Sequence, residues 1–132
     1  AGVITADEFA VFQNAGYMGL YGGMTVDDIH RKKNLEVGQK ILDYMGSTEL
    51  IANLFRISQT EEKLRQDSVN SADTATAVHY KVGSEVREAI EKIGGTMPED
   101  LPTPEKSIAQ LEKEQLQRLK QQALDGQLML DE

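Results

Sequence analysis

Few side chains in this sequence could carry out catalysis, and none of them falls into a recognised catalytic spacing. The histidines are His30 and His79. His30 lies beside the basic run Arg31–Lys33, which disfavours a catalytic base, and His79 lies near a valine-rich helix face, where a histidine is usually a hydrogen-bonded core residue. The chain has no cysteine, which excludes a thiolate nucleophile and a cysteine-based metal site. Two histidines without an HExxH-like spacing do not predict a metal site either.

Adjacent carboxylates occur at Asp27-Asp28 and at Glu61-Glu62. Neighbouring side chains on a helix point in different directions, so neither pair can share one proton, and we expect both pairs to be solvated. We therefore predict no catalytic residue, no metal site and no cofactor, and a function that is not enzymatic. A metal-dependent nuclease, with carboxylates gathered by the fold, stays an alternative hypothesis.

The glycine-rich segment GYMGLYGGM, residues 16–24, has two interpretations. It could be a phosphate-binding loop, but it lacks the Lys-Ser/Thr of a P-loop and no predicted strand precedes it. We favour a compact turn in which glycine supplies positive φ and Gly16 ends the first helix. In that turn Tyr17, Met18, Leu20 and Tyr21 would fill the core.

Composition places the chain among acidic globular domains. Its 132 residues fit one domain, with 39% hydrophobic residues and a formal net charge of −8. An acidic surface repels phosphate backbones, so we expect direct DNA binding to be weak or absent. No apolar run is long enough for a membrane span, and no signal peptide is visible, so we expect a cytoplasmic protein. Because the first residue is not Met, we expect a fragment or a processed product.

Helix signals recur along the chain. Thr5 with Glu8 and Thr25 with Asp28 have the spacing of capping boxes, and all three prolines lie in one connector. We predict an all-α fold, a compact bundle of five to six helices with a Pro-rich connector and a projecting C-terminal helix. The predicted helices cover residues 6–15, 26–33, 36–45, 47–66, 71–93 and 104–123. The predicted units are a helical core at 1–101, an amphipathic helix at 102–123 and a tail at 124–132.

The segment 40–66 is predicted to be the centre of this fold. We expect a helix break at Gly46 with positive φ, an N-cap at Ser47, and Glu49 in the first turn, where it complements the helix dipole. The most concentrated apolar residues of the chain follow, and we predict that they form the core: Leu50, Ile51, Leu54, Phe55 and Ile57.

The last predicted helix carries only a narrow apolar stripe. Its members are Ile108, Leu111, Leu116 and Leu119. A stripe of this width is typical of a helix that packs on a partner or across the outside of a fold. We predict that these side chains form a protein interface.

Three long segments resemble one family: FQNAGYMGLYGGM, KILDYMGSTELIANLFRISQTEEKL and HYKVGSEVREAIEKIGGTMPEDLPTPEKSI. Together they resemble the C-terminal half of the bacterial DNA-damage-inducible protein D family, over about residues 5–111. In that family a BRO-type domain similar to those of phage antirepressors precedes this region. The resemblance implies expression in the SOS response and modulation of recombinase filaments on single-stranded DNA. It implies no catalytic residues.

Our first hypothesis is a regulatory domain that binds a protein partner, such as the recombinase filament, or a second copy of itself. The second hypothesis is nucleic-acid binding by a basic helix end, with Arg31, Lys32, Lys33 and Arg56 facing phosphates. The nuclease hypothesis is the third.

Overall fold

The computed structural model describes the backbone of residues 4–130 and the side chains of residues 4–126. Its helices are α1 (Ala6–Leu20), α2 (Val26–Lys32), α3 (Ser47–Gln66), α4 (Ala72–Ile93) and α5 (Ile108–Leu130). Short 3-10 turns cover Ile41–Tyr44 and Pro98–Asp100. The described residues contain no strand, which confirms the predicted all-α fold. The ends of the predicted units, residues 1–3 and 131–132, lie outside the described residues.

The pairing of α1 with α4 depends on glycines at the crossing. A Cβ added to Gly83 would lie 2.7 Å from the carbonyl oxygen of Gly16, and one added to Gly19 would lie 2.2 Å from the carbonyl oxygen of Tyr80. These contacts are with backbone, so glycine is what allows the two helices to approach closely. The predicted turn at Gly16 is therefore wrong, because α1 continues through it to Leu20.

The capping signals of the first two helices are confirmed. Thr5 and Thr25 each form a capping box, with Glu8 and Asp28 respectively. The helix predicted at 36–45 is wrong, since only Ile41–Tyr44 forms a 3-10 turn. Gly38 has a φ of 88°, which an α-helix cannot contain, and this explains the interruption.

The face of helix α3 that is buried is not the face that we predicted. Its buried residues are polar: Glu49, Asn53, Arg56 and Thr60. Their spacing of four, three and four residues places them on one helix face. Apolar side chains lie on the other side, with Ile51 66%, Leu54 51% and Phe55 54% exposed. The prediction that these three residues lie in the core is wrong, whereas Leu50 does pack against the core and Ile57 is half-buried.

The start of α3 also differs from the prediction. The helix begins at Ser47 and its N-cap is Gly46, which has a φ of −72° and makes no side-chain cap hydrogen bond. Gly46 therefore does not adopt the positive φ that we expected.

The apolar core lies instead between α1, α2, the Ile41–Tyr44 turn and α4. Its buried members are Tyr17, Leu20, Tyr21, Ile29, Ile41, Met45 and Val86. The Pro-rich connector is fixed to this unit by Arg87, whose guanidinium donates to both carboxylate oxygens of Glu99 at 2.8 Å and to the carbonyl oxygen of Leu20 at 3.1 Å.

Helix α5 starts later and continues further than predicted. It runs from Ile108 to Leu130, so Thr103 and Pro104 do not open it and residues 124–130 are helical instead of a tail. It packs near the Ile41–Tyr44 turn, and most of its described side chains are exposed. None of the helices in the described part has the length and apolarity that a membrane crossing requires.

Candidate functional site

A chain of buried polar side chains crosses the interior, and it starts at Lys33. The Lys33 ammonium donates to Glu49 Oε1 at 3.0 Å, to the carbonyl oxygen of Pro98 at 2.8 Å and to that of Leu101 at 2.6 Å. Both members of the ion pair are almost completely buried, with side-chain exposures of 4% and 1%. Glu49 therefore neutralises a buried lysine that follows the C-terminus of α2, and the lysine holds the connector.

The next contacts in this chain of buried polar side chains join α1 to α3. The Tyr21 hydroxyl donates to Glu49 Oε2 at 2.5 Å and accepts from the Asn53 amide at 3.0 Å. Burial raises the pKa of Tyr21 far above its ordinary value, and the neighbouring Glu49 carboxylate raises it further. The phenol therefore stays protonated and acts as a hydrogen-bond donor at every physiological pH.

The last of these contacts join α3 to α4. Arg56 donates through Nη2 to the side-chain Oδ1 of Asn53 at 2.9 Å and through Nη1 to His79 Nε2 at 2.5 Å. His79 donates through Nδ1 to the carbonyl oxygen of Phe12 at 2.8 Å. Burial, followed by the charge of Arg56, lowers the pKa of His79 to about 4. The imidazole is therefore neutral at pH 7, which matches its role as an acceptor from arginine.

The Arg56 guanidinium is buried, and none of the carboxylates that the structure describes pairs with it. Its central carbon lies 4.7 Å from the centre of the Tyr17 ring, a cation–π distance. Burial lowers the pKa of Arg56 from its ordinary value, whereas burial raises that of Tyr17. Since arginine stays protonated in proteins, the Arg56 guanidinium is a permanent positive charge in the interior, next to Tyr17.

These contacts connect four helices and the connector, but they contain no activated nucleophile. Most of the hydrogen bonds described above join one element to another, and the bond from Arg56 to Asn53 lies within α3. In the part of the chain that the structure describes, no three carboxylate or imidazole groups are close enough to hold a metal ion. The geometry therefore favours a positioning role for this chain of side chains.

The basic residues predicted to face nucleic acid separate into two groups. Lys33 and Arg56 lie in the interior, with whole-residue exposures of 7% and 2%. The prediction that they face phosphates is wrong, because each is engaged by buried partners. Arg31 and Lys32 lie on the surface, where Arg31 pairs with Asp28 at 2.6 Å and Lys32 lies 3.7 Å from Asp100.

The residues of the predicted interface do lie on a largely uncovered helix. Ile108 is half-buried, whereas the leucines that follow it on α5 are 42% to 56% exposed: Leu111, Leu116, Leu119 and Leu124. With the exposed Ile51, Leu54 and Phe55 on α3, they make up the outward-facing apolar side chains that we take as the candidate interface.

Sequence reasoning missed Glu49, Asn53 and Tyr21 as members of a buried polar chain. The signal available for α3 was the polar spacing at residues 49, 53, 56 and 60, which is as regular as the apolar spacing that we followed. Nothing local indicates Tyr21, because its partners lie 28 and 32 residues away.

Comparisons with known proteins agree with the resemblance. The family model described as the DinD C-terminal domain matches residues 1–111. A curated relative, the DNA damage-inducible protein D of Escherichia coli (strain K12), is 62% identical over 112 residues, which is 85% of this chain and 41% of the relative. The chain thus spans less than half of the length of that relative. No solved structure matches the chain. With its family model covering most of its length, this chain belongs to the family of DinD C-terminal domains.

Proposed function

We propose that this domain is a non-enzymatic protein-binding module of a DNA-damage response protein. Membership of the DinD C-terminal domain family, and the name of the E. coli relative, support the link with DNA damage. The observation that carries the binding role is the outward orientation of apolar side chains on α3 and α5. Apolar side chains that lie together on an exposed helix face are typical of protein interaction sites.

Helix α5 is the main contact element in this proposal. Leu116 and Leu119 are three residues apart, so they lie on the same helix face, and both are more than half exposed. A helix with one such stripe binds by placing it in an apolar groove of the partner. Burial of these leucines against a partner would contribute roughly 1.5–3 kcal/mol each if it were complete.

The charge of the domain favours a protein partner over naked DNA. The net charge is −8, and two of the four basic residues considered for DNA contact are buried. The remaining two, Arg31 and Lys32, lie near Asp28 and Asp100. These carboxylates lower the positive potential that phosphate binding requires.

The partner that we propose is the recombinase filament on single-stranded DNA, in the SOS response of a bacterial cytoplasm. Modulation of the filament through protein contacts would need no catalytic group. Self-association through the same leucines is the alternative, and light scattering of the chain alone would detect it.

The experiment measures binding of the fluorescently labelled chain to recombinase-coated single-stranded DNA and to the same strand without recombinase. We expect saturable binding to the coated strand only, and at least a tenfold loss with the double substitution Leu116→Glu and Leu119→Glu. The matched control is Gln110→Glu with Gln117→Glu, which adds the same charge to the opposite face of α5.

Tight binding to the naked strand, with an affinity that falls steeply as salt rises, would favour the nucleic-acid hypothesis and contradict the proposal. Equal loss in the leucine variant and in the glutamine control would show that the leucines are not the contact.

A further inference from the structure

A cavity of about 180 Å³ lies between α1, α3 and α4, next to the buried Arg56. Its apolar wall includes Phe12, Tyr17, Leu42 and Ile57, and Arg56 and His79 line it as well. An engineered cavity of roughly 150 Å³ is large enough to hold benzene. The space beside Arg56 can therefore hold an organic body of similar size.

The charges around this cavity do not balance. Lys33 and Glu49 are buried and neutralise each other. His79 is neutral, as its hydrogen bonds show. Within the described residues no carboxylate lies within 4.0 Å of a nitrogen of Arg56. One buried positive charge is thus left without an anion, a situation that is costly unless an anion is supplied.

The guanidinium also has an unused donor. Arg56 Nε is the one buried side-chain nitrogen or oxygen, among the described residues, that has no hydrogen-bond partner. The other two nitrogens are used by Asn53 and His79. A group that reached the guanidinium from the cavity would therefore find the free Nε–H and an unneutralised charge.

We propose that this cavity binds a small monocarboxylate whose apolar body is about the size of a benzene ring. The carboxylate faces Arg56 and the apolar body lies among Phe12, Leu42 and Ile57. The inference is independent of the proposed protein-binding role, because it concerns the interior of the domain.

A carboxylate fits this cavity better than a phosphate does. Phosphate carries up to two charges and three strong acceptor oxygens, which need several donors. Among the described residues Arg56 is the one cation that lines the cavity, and most of the wall is apolar. Glu61, which also lines the cavity, is exposed to solvent, so its charge is screened.

The test is an NMR titration of the ¹⁵N-labelled chain with sodium benzoate and, separately, with benzamide, its neutral isostere. We expect benzoate to bind at least tenfold more tightly, because hydrogen bonds to charged groups are stronger than those between neutral groups. We also expect the Nε–H signal of Arg56 to move with benzoate and to stay in place with benzamide. This readout needs no variant.

The cavity is tested with Ile57→Phe, which fills part of it and leaves the hydrogen bonds of Arg56 in place. Leu54→Phe is the matched control, since it makes a similar change on the exposed side of the same helix. We expect benzoate binding to be lost in the first variant and retained in the second. Equal affinities for benzoate and benzamide, or an unmoved Arg56 Nε–H signal at saturating benzoate, would overturn the proposal.

Discussion

Substitution of Lys33 by methionine should remove a large part of the stability of this domain. The change deletes the ammonium that neutralises Glu49 and that holds the carbonyl oxygens of Pro98 and Leu101. Removing one partner of a buried ion pair costs about 3–5 kcal/mol, because the other charge stays buried and unpaired. The orphaned carbonyl groups place the expected cost near the upper end of that range, about 4–5 kcal/mol. Small domains have only about 5–15 kcal/mol in total.

The assay is urea denaturation followed by circular dichroism, with the free energy of unfolding obtained by linear extrapolation. Lys32→Met is the control, since Lys32 is the preceding lysine but lies on the surface. We expect it to change the free energy of unfolding by less than about 0.5 kcal/mol.

The double variant Lys33→Met with Glu49→Gln tests the charge explanation itself. Neutralising Glu49 removes the unpaired charge, so the second substitution should cost less in the Lys33→Met background than in the wild type. A loss below about 1 kcal/mol for Lys33→Met alone would refute the reasoning, because it would mean that the pair is not buried.

Three further perturbations test other parts of the fold. Gly83→Ala should destabilise the domain by about 3 kcal/mol, since its Cβ would lie 2.7 Å from a backbone oxygen of Gly16; an unchanged melting temperature would contradict the close crossing. Gly46→Val should change the free energy of unfolding by less than about 1 kcal/mol, because Gly46 has a φ of −72° and an added Cβ would meet nothing within 4 Å. A large loss of stability in the same urea assay would contradict the extended backbone conformation at Gly46. The neutral state of His79 should make stability depend on pH. Its pKa of about 4 is below that of the unfolded chain, so its stabilising contribution is complete above about pH 6.5 and is lost as the pH falls towards 4, by on the order of 3 kcal/mol. Urea denaturation of wild type and His79→Gln at pH 7 and pH 4.5 should show a smaller pH effect in the variant, and equal effects would refute the assignment.

The helices that begin with local signals could be predicted from the sequence. Thr5 and Thr25 open α1 and α2 through hydrogen bonds to residues three positions away, so the information is contained in a few neighbouring residues. Gly94, with a φ of 84°, ends α4 for the same local reason. The predicted turn at Gly16 was wrong because the role of its glycines depends on a distant element. Gly16 and Gly19 leave room for the close approach of α4.

The orientation of α3 could not be predicted because its partners are distant in sequence. Burial of apolar surface is the dominant favourable term in folding, so the apolar residues of α3 were expected inside. Glu49 instead faces Tyr21 and Lys33, which belong to earlier segments of the chain. Arg56 was expected on the surface because arginine is almost never fully buried unless it is paired.

The orientation of α3 both creates the buried polar chain and leaves apolar side chains outside. The most direct measurement compares the free energies of unfolding of two variants: Ile51→Gln with Leu54→Gln, and Asn53→Leu alone. We predict a loss of less than about 1 kcal/mol for the first, since both side chains are at least half exposed. We predict a loss of about 3 kcal/mol or more for the second, since Tyr21 and Arg56 lose a buried partner. The reverse order would contradict the account.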